Sequence, residues 1–391
     1  MKFGIVTLVS ENYGNKYQNF AVEKILSEFG DVETFSIFEG YVTETDKASK
    51  VKKLSFSYVK KVITSRLLYQ YDIKNIYRGL LKNVFYVLKN KNKLIELRKN
   101  RESSFLEYQK DYLNVSDKVL NYDNTKDLKW LSSIDYFVCG SDQIWNPTYR
   151  TTTSLAFLSF ADYRKSIAFS PSFGLSEIPE NRKKDMTEWL NGIKYLSVRE
   201  KQGEKIIRDL TNRESEILLD PSMILSKETW INHMRRPNVN HPRKYILTYF
   251  LGYVDKKFKK VIDEYSKELK LEVINLFDIF DSKYYALTPN EVLYMIFNAD
   301  FVITDSFHGS VFSILFNKEF VVMDRNEGKL VMSSRLMTLL SKFKLPNRMG
   351  MTYKSHCKIT DNQWTEIDNI LCVERKKAYQ YLKNALNGND D

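Results

Sequence analysis

Short apolar runs alternate along the chain with stretches in which apolar residues recur at helical spacing. Short apolar runs bounded by polar residues or glycine are typical of buried strands, and a 3.6-residue period is typical of amphipathic helices. In the first half the pattern predicts a helix at residues 18–28 and strands at residues 2–9, 136–139, 166–169, 195–198 and 216–219. This alternation favours an α/β architecture with mostly parallel sheets.

A polar stretch at residues 230–243 contains two prolines, and we interpret it as a domain linker. Beyond it the pattern predicts strands at residues 245–250, 272–276, 301–304 and 320–323 and helices at residues 255–269, 289–297, 311–316 and 333–343. We therefore expect two Rossmann-like domains, residues 1–235 and 244–360, that face each other across a cleft in a GT-B-like arrangement. Residues 361–391 are expected to form a helix that packs back on the first domain.

Length and composition support a globular protein of two domains. The chain has 391 residues, of which 43% are hydrophobic and 28% charged, and its 14 glycines and 8 prolines are too few for a disordered chain. No apolar run reaches the roughly 18 residues that a membrane-spanning helix needs, and the first run is too short for a signal peptide. We therefore expect a cytoplasmic protein. The three cysteines, Cys139, Cys357 and Cys372, lack metal-ligand spacing, so no disulfide framework or zinc site is expected.

The positive charge is concentrated in one segment. Residues 50–101 hold fifteen basic residues against Asp72 and Glu96, a net charge of +13, so the rest of a chain whose net charge is +11 carries −2. Apolar residues recur in this segment at helical spacing, which predicts a basic helical insertion in the first domain. A solvated helical face and a surface that docks on anionic lipid headgroups both fit this pattern. Nucleic acid is a weaker alternative because no recognised binding motif accompanies the charge.

The most informative stretch is FVITDSFHGSVFSILF, residues 301–316. An apolar strand leads into a polar turn and then into an apolar helix, and the turn holds Asp305, Ser306, His308, Gly309 and Ser310. Free backbone N–H groups and the helix dipole make such a turn an anion site, and the two serines add hydroxyl donors. His308 is suited to transfer a proton or to donate to a phosphate. The other histidines, His233, His241 and His356, are expected at the surface or in packing roles.

Further short motifs follow the other predicted strands. They comprise Asn12, Tyr13, Gly14 and Gln18; Gly140, Ser141, Asp142, Gln143, Trp145 and Asn146; SFG at residues 172–174; SVRE at residues 197–200, with Gly203; LDP at residues 219–221; and the pair Ser334 and Arg335. Together with TDSFHG, and in this order, these motifs resemble the polysaccharide pyruvyl transferase family. Two departures from the family pattern are the Cys139 that precedes GSDQ and the basic segment at residues 50–101, which matches nothing in the family.

The resemblance implies transfer of a pyruvyl group from phosphoenolpyruvate to a sugar of a surface or capsular polysaccharide precursor, which forms a cyclic pyruvate ketal. Such a reaction needs a general acid or base and anion clamps, and neither a metal nor another cofactor is obligatory. The resemblance assigns His308 as the catalytic or phosphate-contacting histidine and Arg199 as a clamp for carboxylate or phosphate. An ion pair with Glu200 or Asp220 is the alternative for Arg199. Arg335 is the second candidate clamp, against a role on the helix surface.

In the first domain, the expected acceptor side, the cleft wall is predicted to carry Asn12, Gly14, Ser141, Asp142 and Gln143, with Glu200 as a further substrate-binding residue. Asp142 is expected to order a sugar hydroxyl or to act as base toward the acceptor, and a helix N-cap is the simpler alternative. Trp145 suits stacking on a sugar ring, although a core position is favoured. The second domain is the expected phosphoenolpyruvate side.

Two other function classes fit parts of the sequence. A nucleotide-sugar-dependent glycosyltransferase of GT-B type has the same two-domain cleft and binds diphosphate at helix N-termini. A non-catalytic scaffold at the membrane rests on the basic segment alone. The expected partners are phosphoenolpyruvate, a lipid-linked oligosaccharide acceptor and an anionic membrane surface at the inner face of the plasma membrane, with no nucleic acid.

Overall fold

The protein is described by a computed structural model that covers residues 1–37, 90–122, 124–251, 254, 256–278, 282–324, 333–350 and 352–388. Its strands are β1 (Lys2–Val6), β2 (Asp31–Phe35), β3 (Tyr136–Cys139), β4 (Ser166–Ala168), β5 (Ser197–Val198), β6 (Glu216–Ile217), β7 (Tyr245–Tyr249), β8 (Glu272–Asn275), β9 (Phe301–Thr304) and β10 (Glu319–Val322). Its helices are α1 (Tyr13–Leu26), α2 (Lys91–Tyr112), α3 (Leu128–Ser132), α4 (Glu180–Asn191), α5 (Lys201–Thr211), α6 (Pro221–Ile224), α7 (Lys227–His233), α8 (Lys256–Leu269), α9 (Ser282–Tyr285), α10 (Pro289–Asn298), α11 (Phe307–Leu315), α12 (Ser333–Lys342) and α13 (Asp361–Asn387).

The described strands form two four-stranded parallel sheets and one short parallel pair. The first sheet has the order β2-β1-β3-β4, the second has the order β10-β9-β7-β8, and β5 pairs with β6. Strands β3 and β9 are apolar and buried along their whole length, as parallel strands covered by helices on both faces must be. The predicted α/β class with two Rossmann-like parallel sheets is confirmed.

Several predicted elements differ in their bounds from the structure; among them, α1 begins at Tyr13 rather than at residue 18, and β1 ends at Val6 rather than at residue 9. The helix expected at residues 311–316 begins at Phe307, because the Ser306 side chain accepts a hydrogen bond from the Gly309 N–H and caps the helix there. His308, Gly309 and Ser310 therefore lie in the first helical turn rather than in a preceding loop. The stretch interpreted as a linker begins within α7, which is capped by Ser226 and ends at His233, so only its second part lies outside helices and strands.

The two sheets are joined by a continuous apolar core. One cluster of buried residues extends from the β1 and α1 side chains to those of β7, α10 and α11. The buried hydroxyls of Tyr13 and Tyr17 on α1 donate to the carbonyls of Leu287 and Pro289, at 2.6 Å and 3.0 Å. Helix α1 thus fixes the first sheet against the second, and the two Tyr side chains satisfy their hydroxyl groups at this interface.

The C-terminal helix α13 follows the second sheet in the chain and packs against the first half of the molecule. Its Tyr381 hydroxyl donates to the Ala168 carbonyl of β4 at 2.8 Å, and Arg375 donates to the Met223 and Leu225 carbonyls. Helix α13 is therefore anchored on the first half of the molecule. The domain boundaries at residues 235 and 244 stay predictions.

The basic segment predicted at residues 50–101 falls mostly outside the described residues. Its last part is helical as the beginning of α2, where Arg101 lies against the Tyr13 ring and donates to the Tyr285 carbonyl at 2.9 Å. Within the described ranges, no helix is both long and apolar enough to cross a membrane.

Candidate functional site

Four residues that follow strands of the two sheets and of the short β5–β6 pair come together at the carboxyl ends of those strands. Gly14 follows β1, Asp142 follows β3, Arg199 follows β5, and His308 follows β9. In the first sheet β1 and β3 are neighbours, but the chain goes from β1 to β2 on one side and from β3 to β4 on the other. In the second sheet β7 and β9 are neighbours, and the chain goes from β7 to β8 on one side and from β9 to β10 on the other. Such switch points at the carboxyl ends of parallel strands are where open α/β sheets bind ligands.

Arg199 is the centre of a buried ionic cluster. One terminal nitrogen, Nη1, donates to Asp220, and the other, Nη2, donates to Asp142 Oδ1 at 3.1 Å. The guanidinium carbon lies 4.2 Å from the centre of the Phe307 ring, a cation–π contact. Arg199 therefore does form the ion pair with Asp220 that was considered as an alternative role. Both terminal nitrogens are occupied, so only the Nε–H of Arg199 remains for an incoming anion.

Asp142 adopts an uncommon backbone conformation to reach this cluster. Its φ of 59° and ψ of −163° fall in a region used almost only by glycine, at a cost of about 1–3 kcal/mol. Asn15 on α1 donates to Asp142 Oδ2 at 2.5 Å, while Oδ1 accepts from Arg199. The N-cap alternative fails, because among the described residues the Asp142 side chain makes no capping hydrogen bond to the short 3₁₀ turn that follows. Its carboxylate instead holds Arg199.

His308 lies between the two halves of the molecule. Its Nε2 is 3.7 Å from Asp220 Oδ2, and its other ring nitrogen faces the Gly14 backbone closely enough that a Cβ at Gly14 would collide with the ring. Burial lowers the pKa of His308 below 6.5, with Arg199 and Arg335 adding to the shift and Asp220 opposing it. The imidazole is therefore neutral near pH 7 and suited to accept a proton.

Arg335 on α12 is the second guanidinium of the cluster. With its amide oxygen turned toward Arg335, Gln143 accepts hydrogen bonds from both terminal nitrogens, at 2.8 Å and 2.9 Å. Arg335 Nη1 is also 3.8 Å from Asp142 Oδ1, and the residue is only 8% exposed. The surface role considered for Arg335 is therefore wrong.

Four buried polar atoms in this cluster have no hydrogen-bond partner within the part of the chain that the structure describes. They are Arg199 Nε, Arg335 Nε, His308 Nε2 and Glu200 Oε2. Buried polar groups are nearly always satisfied, so several unsatisfied atoms on the residues of one cluster indicate a ligand position. Two of the four, Arg199 Nε and Arg335 Nε, are N–H donors of guanidinium groups, which suits an anionic ligand.

Asp220 and Glu200 are both buried, but their pKa values shift in opposite directions. Burial alone would raise the pKa of Asp220, but Arg199 and His308 outweigh it and hold the pKa below its usual 3.8. For Glu200, burial dominates and raises the pKa above 4.5, although Arg199, Ser172 and Arg335 oppose it. Its Oε1 accepts from the Ser172 hydroxyl at 2.6 Å. The cluster therefore holds an ionised aspartate and a carboxyl group that resists ionisation.

The remaining predicted residues make hydrogen bonds that support the site. Asn12 caps α1 through the Gly14 N–H, and Ser141 donates to the Ser170 carbonyl. Asp305 accepts from the Leu251 N–H at 2.7 Å. Ser306 caps α11 on Gly309, and the Ser310 hydroxyl donates to the Ser306 carbonyl. The Gly309 N–H of this turn already donates to Ser306 Oγ and is not free to bind an anion. The predicted anion site therefore has one N–H group fewer than expected.

Sequence reasoning assigned no role to Asn15 or Phe307, and it named Asp220 only as an alternative ion-pair partner of Arg199. Asp220 is in the LDP motif and directly follows a short strand region, which is the signal that could have identified it. Trp145 stacks on Phe157 in the core, as favoured from sequence. The three other histidines are in packing positions. His233 contacts Phe20, His241 contacts Tyr245, and His356 contacts Phe301.

Comparison with known proteins identifies a matching family. A family model described as polysaccharide pyruvyl transferase matches residues 12–327. Among solved structures, the chain is similar to UDP-GlcNAc 2-epimerase from Methanocaldococcus jannaschii (10% identity, TM-score 0.43, 95% of this chain and 100% of that chain). It is also similar to a putative UDP-N-acetylglucosamine 2-epimerase from Listeria monocytogenes (8% identity, TM-score 0.45, 98% of this chain and 91% of that chain). A third similar structure is a UDP-glucosyltransferase from Polygonum tinctorium (10% identity, TM-score 0.34, 98% of this chain and 94% of that chain). No curated protein matches the chain.

Proposed function

We propose that this chain, which belongs to the polysaccharide pyruvyl transferase family, transfers a pyruvyl group from phosphoenolpyruvate to a sugar of a polysaccharide precursor. The product is a pyruvate ketal that bridges two sugar hydroxyls. The observation that carries the proposal is the buried cluster in which Arg199 Nε, Arg335 Nε and His308 Nε2 lack partners among the described residues. We expect the acceptor to be a lipid-linked oligosaccharide handled at the inner face of the plasma membrane.

The donor fits the charges of this cluster. Phosphoenolpyruvate carries a phosphate and a carboxylate, and guanidinium groups bind both with directed hydrogen bonds. Arg335 is the better placed phosphate clamp, because its terminal nitrogens are held by the neutral amide of Gln143 rather than by a carboxylate. Arg199 has both terminal nitrogens on Asp220 and Asp142 and offers its Nε edge to the carboxylate. Burial of both arginines strengthens each of these contacts.

His308 is proposed to accept the proton of the attacking sugar hydroxyl at Nε2. A neutral imidazole is needed for this step, and burial supplies it by lowering the pKa of His308. Asp220 lies 3.7 Å from Nε2 and stabilises the imidazolium that forms. The ring is then able to return the proton to the departing phosphate. No step of this scheme uses a metal ion.

Asp142 is proposed to position the arginines rather than to act as base toward the acceptor. Both of its carboxylate oxygens already accept hydrogen bonds from Asn15 and Arg199. Substitution of Asp142 by Ala is then expected to raise the KM for phosphoenolpyruvate more than the KM for the acceptor. The opposite pattern would restore the role as base.

The proposed donor is tested by ligand-induced thermal stabilisation. Phosphoenolpyruvate at 100 times its Kd is expected to stabilise the protein by about 2.7 kcal/mol. Arg335→Ala should abolish the shift, whereas Arg164→Ala, an arginine whose side chain is 68% exposed and lies outside the cluster, should leave it unchanged. Stabilisation by uridine or guanosine diphosphate instead of phosphoenolpyruvate would favour the glycosyltransferase alternative.

A further inference from the structure

Glu200 occupies a position in the cluster that the steps above leave unused. It follows Arg199 directly, and its side chain is 2% exposed. Ser172 donates to one carboxyl oxygen, Oε1, at 2.6 Å, while the other, Oε2, has no partner within the described ranges. The charged groups that face it are Arg199 and, from α12, Arg335; the Gly174 backbone amide also lies beside it.

The ion pairs of Arg199 with Asp220 and Asp142 leave Glu200 with only a longer ion pair to the same guanidinium. Asp220 and Asp142 take the two terminal nitrogens of Arg199, and Glu200 Oε2 is 3.9 Å from Nε, too far for a hydrogen bond. Glu200 is thus the third carboxyl around one guanidinium and the only one of the three without a direct hydrogen bond to it. Burial opposes the charged form of such a carboxyl and raises the pKa of Glu200.

Two unsatisfied atoms, Glu200 Oε2 and Arg199 Nε, therefore lie 3.9 Å from each other. If the Arg199 Nε–H holds the carboxylate of phosphoenolpyruvate, as proposed above, the atom next to that carboxylate is C2, and C3 is one bond further. We propose that Glu200 is the general acid that delivers the proton to C3 of phosphoenolpyruvate. This inference rests on the proposed function and adds the proton donor that the reaction needs.

The step balances without another reactant. The Oε2–H bond of Glu200 breaks as the C3–H bond forms, and the electron pair of the C2=C3 bond makes the new bond. The first sugar oxygen attacks C2 and gives its proton to His308. The C2–O bond to phosphate then breaks, and inorganic phosphate leaves with the proton from His308. The second hydroxyl adds to C2, and its proton returns to the Glu200 carboxylate, which restores the enzyme.

The two groups of this scheme are set by opposite environments. Burial lowers the pKa of His308, which favours a neutral base, and raises the pKa of Glu200, which favours a protonated acid. Acid–base chemistry at neutral pH requires one group that can give a proton and one that can take it. Surroundings that shift the pKa values of two titratable groups in opposite directions provide such a pair.

The test compares Glu200→Gln and Glu200→Asp in the full chain. Glutamine keeps the size and accepts from Ser172, but it has no acidic proton, so turnover should fall by about 10²–10⁴-fold while phosphoenolpyruvate still binds. Aspartate keeps an acidic proton and should retain more turnover than glutamine. Glu204→Gln, the same change on the outer side of α5 where Glu204 pairs with Arg208, should behave as wild type.

Three outcomes would overturn the assignment. Turnover of Glu200→Gln close to that of wild type means that no proton comes from this residue. An equal loss of phosphoenolpyruvate binding and turnover in Glu200→Gln makes the residue a binding or structural group. A wild-type protein that binds no phosphoenolpyruvate and forms no ketal removes the proposed function and the inference together, whereas an active wild type with an active Glu200→Gln removes the inference alone.

Thermal unfolding tests the protonated state separately from activity. The unfolded chain releases the Glu200 proton above about pH 4.5, whereas the folded protein retains it until its raised pKa is passed. Wild-type stability therefore falls with rising pH over that interval, and a glutamine has no such dependence. The Tm of Glu200→Gln should rise relative to wild type from pH 4.5 upward. A Tm that stays below that of wild type throughout would mean an ionised Glu200 paired with Arg199, and would overturn the proposal.

Discussion

Gly14→Ala is the substitution that most directly tests the contact between the two halves of the site. Gly14 is in the first turn of α1 and its φ is not positive, so alanine fits the backbone. The added methyl group would lie 2.7 Å from His308 Cε1 and 3.0 Å from Cγ. Carbon atoms in contact are usually about 3.5–4.0 Å apart, so the imidazole must retreat by roughly 1 Å.

The expected loss of activity is much larger than the loss of stability. Alanine stabilises a helix by about 0.5–1 kcal/mol relative to glycine, and overpacking typically costs about 1–3 kcal/mol, so the net destabilisation should not exceed about 2.5 kcal/mol. A displacement of about 1 Å at the reacting group can cost about 10²-fold in rate. We therefore expect a folded Gly14→Ala protein with kcat reduced about 100-fold.

The assay is phosphate release from phosphoenolpyruvate in the presence of acceptor, combined with thermal unfolding. Gly192→Ala is the matched control, because a Cβ at Gly192 would meet only the Trp189 carbonyl oxygen, at 3.3 Å. This control should keep wild-type kcat. A Gly14→Ala protein with wild-type kcat and KM would refute the argument that the Gly14 backbone fixes the His308 ring.

Four further predictions follow from the cluster. Asp220→Asn removes one carboxylate from buried Arg199 and should lower the free energy of unfolding by about 3–5 kcal/mol in urea titrations; an unchanged midpoint would contradict the ion-pair geometry. Arg335→Lys cannot donate twice to Gln143 and should weaken phosphoenolpyruvate binding about 10-fold or more by calorimetry, so equal affinity would exclude a clamp of fixed geometry. Because burial lowers the pKa of His308, the acidic limb of the rate profile should lie below pH 6.5, and a limb above that value would count against His308 as the base. Treatment with EDTA should leave turnover unchanged, and a loss restored by a divalent cation would require a metal-dependent scheme.

The fold could be predicted from sequence where local patterns are strong. Strands β3 and β9 match their predicted bounds, because each is an apolar run closed on both sides by polar residues or glycine. Apolar periodicity alone predicts the start of α11 four residues late, because it carries no information on the capping role of Ser306. Strands β5 and β6 are shorter than predicted, since only two residues of each pair with the other.

The residue types of the site could also be predicted, but their pairing could not. The resemblance named His308, Arg199 and Arg335, and the structure brings all three into one cluster. That Gly14 faces His308 depends on how the two sheets pack across nearly the whole length of the chain, and that Asp142 accepts from Arg199 depends on a contact between residues 57 positions apart. Local periodicity carries no information on such contacts.

The proposed transfer of a pyruvyl group from phosphoenolpyruvate to a sugar can be followed directly by its two products. The most direct measurement incubates the purified protein with phosphoenolpyruvate and a panel of lipid-linked and aryl sugar acceptors, and records phosphate release and the mass of the acceptor. We expect one acceptor to gain a pyruvyl ketal with equimolar release of phosphate, and His308→Ala, folded by thermal unfolding, to give neither. Consumption of a nucleotide-sugar donor with no gain of pyruvyl mass, or ketal formation at the wild-type rate by His308→Ala, would contradict the claim.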